Sequence, residues 1–238
     1  MTALARRQPA IADASSPEPP GDCGLCSRLA AFRRDNAAEH PDWHNAPVAS
    51  FGPEDARLLI VGLAPGLQGA NKTGRPFTGD YAGDLLYATL DAFGFSRGTY
   101  GARADDGLVL VDAMITNAVR CVPPQNKPTG GEAAACRPFL ANRLAASPSL
   151  EAVICLGKIA HDNVMRALGR KLARHPFAHG ARHDPPAGGG EPTVFDSYHC
   201  SRYNTNTGRL TEAAFHAVFR DARAFLDGTQ TVRRRQAL

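Results

Sequence analysis

Four short runs of aliphatic and β-branched residues constrain the fold of this chain more than any other feature. They are Arg57-Leu-Leu-Ile-Val-Gly-Leu-Ala64, Leu108-Val-Leu-Val-Asp112, Ala152-Val-Ile-Cys-Leu156 and Thr193-Val-Phe-Asp-Ser197. Runs of this length and composition, bounded by glycine or polar residues, read as strands covered on both faces. Between them lie amphipathic helical stretches. One carries Leu85, Leu86, Leu90 and Phe93, a second Cys136, Phe139, Leu140 and Leu144, and a third Ile159, Val164, Met165 and Leu168. Strands that alternate with helices predict an α/β fold whose mostly parallel sheet is covered on both sides. A last helix is expected from Leu210 to about Leu226, with Phe215, Val218, Phe219 and Phe225 at helical spacing.

The ends differ from this middle. Residues 1–22 hold Pro9, Ser15, Ser16, Pro17, Pro19, Pro20 and Gly21 and almost no large apolar side chains, the composition of a disordered arm. Helical character begins at Cys23 and stops near His40, before Pro41. Residues 23–228 are expected to form a single domain. The tail, 229–238, contains Arg233-Arg-Arg235 and reads as a solvated basic terminus. The segment from Lys171 to Pro192, with Pro176, Pro185, Pro186 and Gly188-Gly-Gly190, reads as a long mobile loop. No run approaches the ~18 apolar residues of a membrane span, and the first residues lack the apolar core of a secretory signal. The expectation is a cytoplasmic, reducing compartment. The 27 basic and 23 acidic residues of this 238-residue chain give a net charge of +4, which permits nucleic acid as a partner without selecting it.

In an open α/β sheet, ligands sit beyond the carboxyl ends of the strands. The first exit is the glycine-rich segment Gly62-Leu-Ala-Pro-Gly66 through Thr73-Gly-Arg-Pro-Phe77-Thr-Gly-Asp80. It lacks the spacing of a phosphate-binding P-loop. The second, Ile115-Thr-Asn117-Ala-Val-Arg-Cys121, offers an amide that presents a donor and an acceptor to one planar partner, although Asn117 also suits a turn. The third, Gly157-Lys-Ile-Ala160, passes directly into a helix and offers little. The fourth begins Ser197-Tyr-His199-Cys-Ser201-Arg-Tyr203 and places His199 at the end of a buried strand, on the side expected for Asn117.

The cysteines form a separate pattern. Cys23 and Cys26 make a C-x2-C pair, and Cys121 and Cys136 flank a segment rich in proline and glycine. Four thiols from two such segments suit zinc or an iron–sulfur cluster, and spacing does not choose between them. Cys155, inside a strand, reads as core packing.

Together these segments resemble the uracil-DNA glycosylase superfamily, most closely its family 5, the type B enzymes with an iron–sulfur cluster. The matching stretches are Gly62–Gly66, Thr73–Asp80, Thr116–Cys121 with Pro123–Pro128, and Ser197–His199 through Asn206–Thr211. The resemblance implies a three-layer α/β/α sandwich with a central, mainly parallel four-stranded sheet. It implies a [4Fe–4S] cluster on Cys23, Cys26, Cys121 and Cys136 with a structural role. It further implies a monofunctional glycosylase that flips and excises uracil from DNA in base-excision repair, leaving an abasic site. The substrate pocket would comprise Gly62, Ala64, Gly66, Phe77 stacked on the base, and Asn117 on its edge. His199 would donate to the departing uracil O2, and Asp80 would stabilise the sugar cation and orient water. Asp80 also suits a helix N-cap.

A wedge from Ser201 to Gly208, with Ser201, Arg202, Tyr203, Asn204 and Arg209, would contact DNA. The expected partners are double-stranded and single-stranded DNA carrying uracil or modified bases, met by a monomer associated with the nucleoid. Ala64 stands where many superfamily members carry a polar catalytic residue, a role the resemblance to family 5 passes to Asp80, and Gly66 stands where strict uracil enzymes place a bulky side chain, so C5-modified bases are admitted. The clearest departure from the family pattern is Cys200 in place of proline, which adds an oxidisable thiol beside His199. This last change leaves room for a catalytically weak DNA-damage-binding protein of the same fold.

Overall fold

The computed structural model describes residues 15–186 and 189–236, with side chains to Thr229. In chain order the elements are α1 (Ser27–Glu39), β1 (Leu58–Gly62), α2 (Ala70–Thr73), α3 (Tyr81–Ala92), β2 (Ser96–Arg97), β3 (Val109–Leu110), β4 (Ala113–Asn117), α4 (Gly130–Ala145), β5 (Ala152–Leu156), α5 (Lys158–Ala167), β6 (Arg182–His183), β7 (Thr193–Ser197), α6 (Arg202–Asn206) and α7 (Glu212–Gln236). The central sheet has the order β4-β1-β5-β7-β6. Its first four strands are parallel, and β6 pairs antiparallel with β7 at one edge. The expected four-stranded sheet is therefore five-stranded, because two residues of the Pro/Gly-rich segment add an edge strand.

Side chains on successive strand residues point to opposite faces, and the two halves of the core follow that period of two. Leu58, Ile60, Ala113, Ile115, Ile154 and Phe195 pack under α3 and α7 against Leu86, Leu90, Phe215 and Phe219. Leu59, Val61, Met114, Val153, Cys155 and Val194 pack under α4 and α5 against Leu140, Leu144, Val164 and Met165. The result is a three-layer α/β/α sandwich. The chain leaves β1 for β4 on one side and later returns to β5 on the other, so the carboxyl end of β1 lies at the topological switch point where a crevice forms.

Four sequence expectations need correction. The run Leu108–Asp112 is not a core strand: Val109 is exposed, β3 pairs only with β2, and Asp112 turns into the left-handed region (φ +57°). The core strand is the next segment, Ala113–Asn117, buried throughout. Residues 15–22 are not a disordered arm. Glu18 accepts from the guanidinium groups of Arg120 (2.8 Å) and Arg143 (2.7 Å), and Ser16 O accepts from Asn142; the rest of that arm lies outside the described residues. Within 171–192, the described residues include a 3-10 turn and β6. Finally, α7 continues past Leu226 to Gln236; the side chains of Arg233–Arg235 lie outside the described residues.

Candidate active site

The exits of β1 and β4 stay zipped past the strands themselves, with Ala118 N donating to Gly62 O (2.9 Å) and Val119 N to Leu63 O (3.0 Å). In this register Gly62 lies beside Asn117. A Cβ at Gly62 would fall 2.4 Å from Asn117 Oδ1 and 2.5 Å from Phe77 Cζ. Only glycine lets the amide and the ring close over the strand end. Asn117 Oδ1 is buried there and has no hydrogen-bond partner. A buried acceptor left unmatched marks a place where a ligand donor completes the site.

Phe77 is held in a backbone conformation that costs a bulky residue roughly 1–3 kcal/mol, with φ at +54°. The restraint comes from below. Arg75 is buried, makes a bidentate pair with Asp106 (2.7 and 2.6 Å) and donates through Nε to Thr78 Oγ1 (2.7 Å). Its guanidinium lies against the rings of Phe51, Tyr87 and Tyr100. Tyr87 then donates to Pro76 O (2.8 Å) and Tyr100 to Phe77 O (3.3 Å). The Arg75 side-chain hydrogen bond holds the Asp106 carboxyl well below the usual carboxylate range. This box fixes the loop, and the sequence signals none of it, because Asp106 lies in an otherwise unremarkable polar turn.

Asp80 caps α3 with one carboxylate oxygen and turns the other to the loop. Its Oδ1 accepts from Gly83 N (3.1 Å) as the N-cap of α3. Its Oδ2 faces the loop, where a Cβ at Gly66 would come within 3.0 Å and one at Gly69 within 2.8 Å. Gly66 therefore makes room for the carboxylate as well as widening the pocket. Burial raises the Asp80 pKa, partly offset by the Gly83 and Ala82 N–H groups. Across the cleft, the His199 ring stacks on Phe77 with centroids 5.8 Å apart. Burial pushes its pKa down to about 4. His199 is thus a neutral imidazole at physiological pH, able to donate one hydrogen bond without carrying charge.

These groups line one cleft of about 570 Å³ with Ala64, Gly66, Asn117, Ser201, Arg202, Asn204 and Arg209. Gly62 lies beneath Phe77 instead of on the wall, and Tyr203, 72% exposed, stands outside it. The segment after His199 is not a loop but the short helix α6, capped by Ser201. Asn204 points inward, donating to His199 O (2.8 Å), so it positions the histidine. Arg202 and Arg209 lie over the rings of Tyr81 and Tyr198 at the rim. The third exit matters after all: Gly157, Lys158 and Ile159 line the cleft, and at Gly157, whose φ is +97°, an added Cβ would lie 3.5 Å from His199 Cβ.

Cys200 departs from the expected oxidisable position. It is fully buried in the α3/α7 core, its Sγ donates to Ala82 O (3.4 Å), and burial pushes the thiol far up, so no thiolate is available. The sequence feature that favoured a catalytically weak binder therefore has no reactive thiol behind it.

Four of the other five cysteines converge behind Ala64, the fifth, Cys155, being packed inside β5. Cys23, Cys26, Cys121 and Cys136 line one apolar niche with Leu29, Val119 and Phe139, and Ala64 packs against the same cluster. Arg120 N–H points at Cys136 Sγ (3.4 Å). Burial, with Cys136, Glu132 and Cys23 nearby, pushes the Cys26 thiol up to about 11, and burial pushes Cys121 up to about 12. An all-sulfur donor set in apolar walls, with an N–H···S contact, fits a soft metal or iron–sulfur group.

A sequence model of the Uracil DNA glycosylase superfamily matches residues 49–223, the span that builds both the sheet and the cleft. The chain belongs to the uracil-DNA glycosylase superfamily. Within it, the chain is 42% identical to the type-5 uracil-DNA glycosylase of Thermus thermophilus over 84% of its own length and 92% of that protein's. It is 41% identical to the type-5 enzyme of Mycobacterium leprae, over 84% and 90% of the two chains, and 37% identical to that of Pyrobaculum aerophilum, over 85% and 88%.

Proposed function

We propose that the cleft receives a uracil swung out of DNA and hydrolyses its bond to the sugar. The chain is a uracil-DNA glycosylase, and the observation that carries the reading is the unpartnered Asn117 Oδ1 beneath the Phe77 ring. Uracil presents an N–H flanked by two carbonyls on its Watson–Crick edge. The Asn117 amide matches that edge with its acceptor on the N–H and its Nδ2 on a carbonyl. Phe77, braced by the Arg75 box, stacks on the ring.

Breaking the N-glycosidic bond leaves negative charge on the base and positive charge on the sugar. A neutral His199 donating to the base oxygen stabilises the first without itself being consumed as an acid. Asp80 Oδ2 stabilises the second and orients the attacking water, while Oδ1 stays locked on the helix. No lysine nucleophile enters, so the product is an abasic site. The absence of a side chain at Gly66 supports a pocket that admits C5-substituted bases such as hydroxymethyluracil, and hypoxanthine. Arg202, Arg209 and the exposed Tyr203 support contact with duplex DNA from the α6 side.

The cysteine quartet would hold a [4Fe–4S] cluster, which when bound supplies a structural tie between α1, the β4 exit and α4. Cys23, Cys26, Cys121 and Cys136 are its four ligands, and iron analysis with the visible spectrum checks it. The function itself is tested by single-turnover, alkali-labile cleavage of a duplex bearing one uracil opposite guanine. The reading predicts cleavage that excess undamaged duplex inhibits and free dUMP does not. Binding without release from any altered base, or inhibition by dUMP alone, would sink it.

A further inference from the structure

On β7, two positions before the cleft residue Tyr198, a carboxylate sits inside the sheet. Asp196 is completely buried, and each of its oxygens meets an imidazole: His161 Nδ1 at 2.8 Å from Oδ1 and His183 Nε2 at 2.9 Å from Oδ2. The His161 and His183 side chains are 1% and 9% exposed. One donor atom from each of the three residues lies within 4.8 Å of the others. They come from three separate elements, α5, β6 and β7, and none touches the cleft.

The second nitrogen of His161 makes the arrangement informative. Nε2 lies 2.9 Å from the carbonyl oxygen of His175. A carbonyl only accepts, so Nε2 carries the hydrogen. In a neutral ring, Nδ1 is then a bare lone pair aimed at a carboxylate oxygen, and two lone pairs 2.8 Å apart need a positive centre between them. That centre is a second ring proton or a metal ion. A backbone carbonyl that fixes the far N–H and points the near nitrogen inward is how ligating histidines are held on zinc. The His175 ring also stands edge-on to His183, with centroids 5.6 Å apart, and those of His161 and His183 are 5.2 Å apart.

We propose that His161, His183 and Asp196 form a structural zinc site distinct from the cysteine quartet. Zinc bonds of about 2.0–2.2 Å to nitrogen and oxygen require the two N···O contacts to open by roughly half an ångström and the donor atoms, already within 4.8 Å of one another, to close around the ion. Imidazole with a single carboxylate suits zinc, and the burial of the site closes it to substrate. The ion ties the segment before β7 to the sheet. That segment supplies Phe177 to the cleft wall, and His179, whose ring stacks on Tyr198 and whose Nδ1 accepts the Tyr198 N–H (3.1 Å). None of this depends on the base-excision reading.

The test is metal analysis of the full-length protein after incubation with excess zinc and desalting. In protein whose cysteine quartet carries its full iron, wild type should retain about one zinc per chain, and His183→Gln and His161→Gln should retain less than about a tenth of that. Cobalt in place of zinc identifies the donors: the proposal requires a nitrogen/oxygen spectrum without thiolate-to-cobalt charge transfer. Wild type alone is therefore decisive even where a variant fails to fold. No retained zinc or cobalt in wild type, retained metal that shows only thiolate ligation, or zinc content indifferent to His183→Gln would each overturn it and leave a proton as the positive centre.

Discussion

Gly62 shows how one missing carbon sets a site. Replacing it with alanine puts a Cβ into both Asn117 Oδ1 and Phe77 Cζ, and neither can withdraw without leaving the stacking position. Gly62→Ala is expected to fold, since the strand's own φ is ordinary, yet to lose base release by at least about 100-fold, the scale of losing one aligned transition-state contact. Single-turnover cleavage beside a thermal melt checks this; wild-type release by the variant would remove the glycine from the argument. His199 makes a second prediction. Its pKa is lowered from the usual 6.5 to about 4, so between those values the unfolded chain binds more protons than the folded one. Its contribution to stability is full above about 6.5 and is lost as pH falls towards 4. Base release should likewise show no inflection from His199 between pH 5 and 8, whereas His199→Ala should slow it by about 10²–10³-fold across that range. An inflection near 6.5 that disappears in the alanine variant would mean the imidazole titrates normally and acts as an acid.

At the scale of elements, the β1 exit loop is shaped by a side chain that never reaches the cleft. Arg75 makes two parallel bonds to Asp106 and a third to Thr78 while its face packs on three rings, and lysine reproduces only the charge. Arg75→Lys should therefore cost about 3 kcal/mol of stability, because it leaves Asp106 buried with an imperfect partner. It should also release Phe77 from its positive φ. We expect weaker binding of uracil duplex together with slower release, and a variant that is destabilised but turns over at the wild-type rate would show that the box holds the fold and not the ring. The motif Gly74–Asp80 was legible in the sequence as a pocket loop, yet its brace was not, since Asp106 is distant in sequence and carries no pattern of its own. The same reason explains the misplaced strand. Leu108–Asp112 is more aliphatic than Ala113–Asn117, and only the left-handed turn at Asp112, which ties back to Arg57, excludes it from the sheet. Asn117, His199 and Asp80 were legible because each ends a strand or opens a helix, where periodicity changes. The role of Asn204 was hidden because its side chain reaches His199 through the backbone carbonyl.

Across the whole molecule, three of the core strands, both helical layers and the cysteine quartet could be read from periodicity and spacing, but the attachment of the N-terminal segment could not. Low hydrophobicity between Ser15 and Asp22 argued against order, and what holds the segment is charge. Arg120 and Arg143 are almost wholly buried between β4, α4 and the segment 15–22, and Glu18 bridges them while Glu54 also contacts Arg143. Burial by itself would push the Glu18 carboxyl up; Arg120, Ser50 and Arg143 outweigh it, and the net shift is downward. A carboxyl whose folded pKa lies below its unfolded value contributes stability above the unfolded pKa and loses it as pH falls through the folded one. Glu18→Gln removes that contribution and leaves Arg120 buried without a counter-charge. The expected loss lies somewhat below the roughly 3–5 kcal/mol of a fully buried broken pair, because Glu54 still serves Arg143. It should be visible at pH 7 as a lower denaturation midpoint and should shrink as pH falls through the lowered folded pKa of Glu18, where wild type itself loses the charge. Because the same segment leads into Cys23 and Cys26, the variant should also lose the iron of the proposed cluster faster under chelator. Unchanged stability at pH 7 would show that the buried arginines draw their compensation from elsewhere.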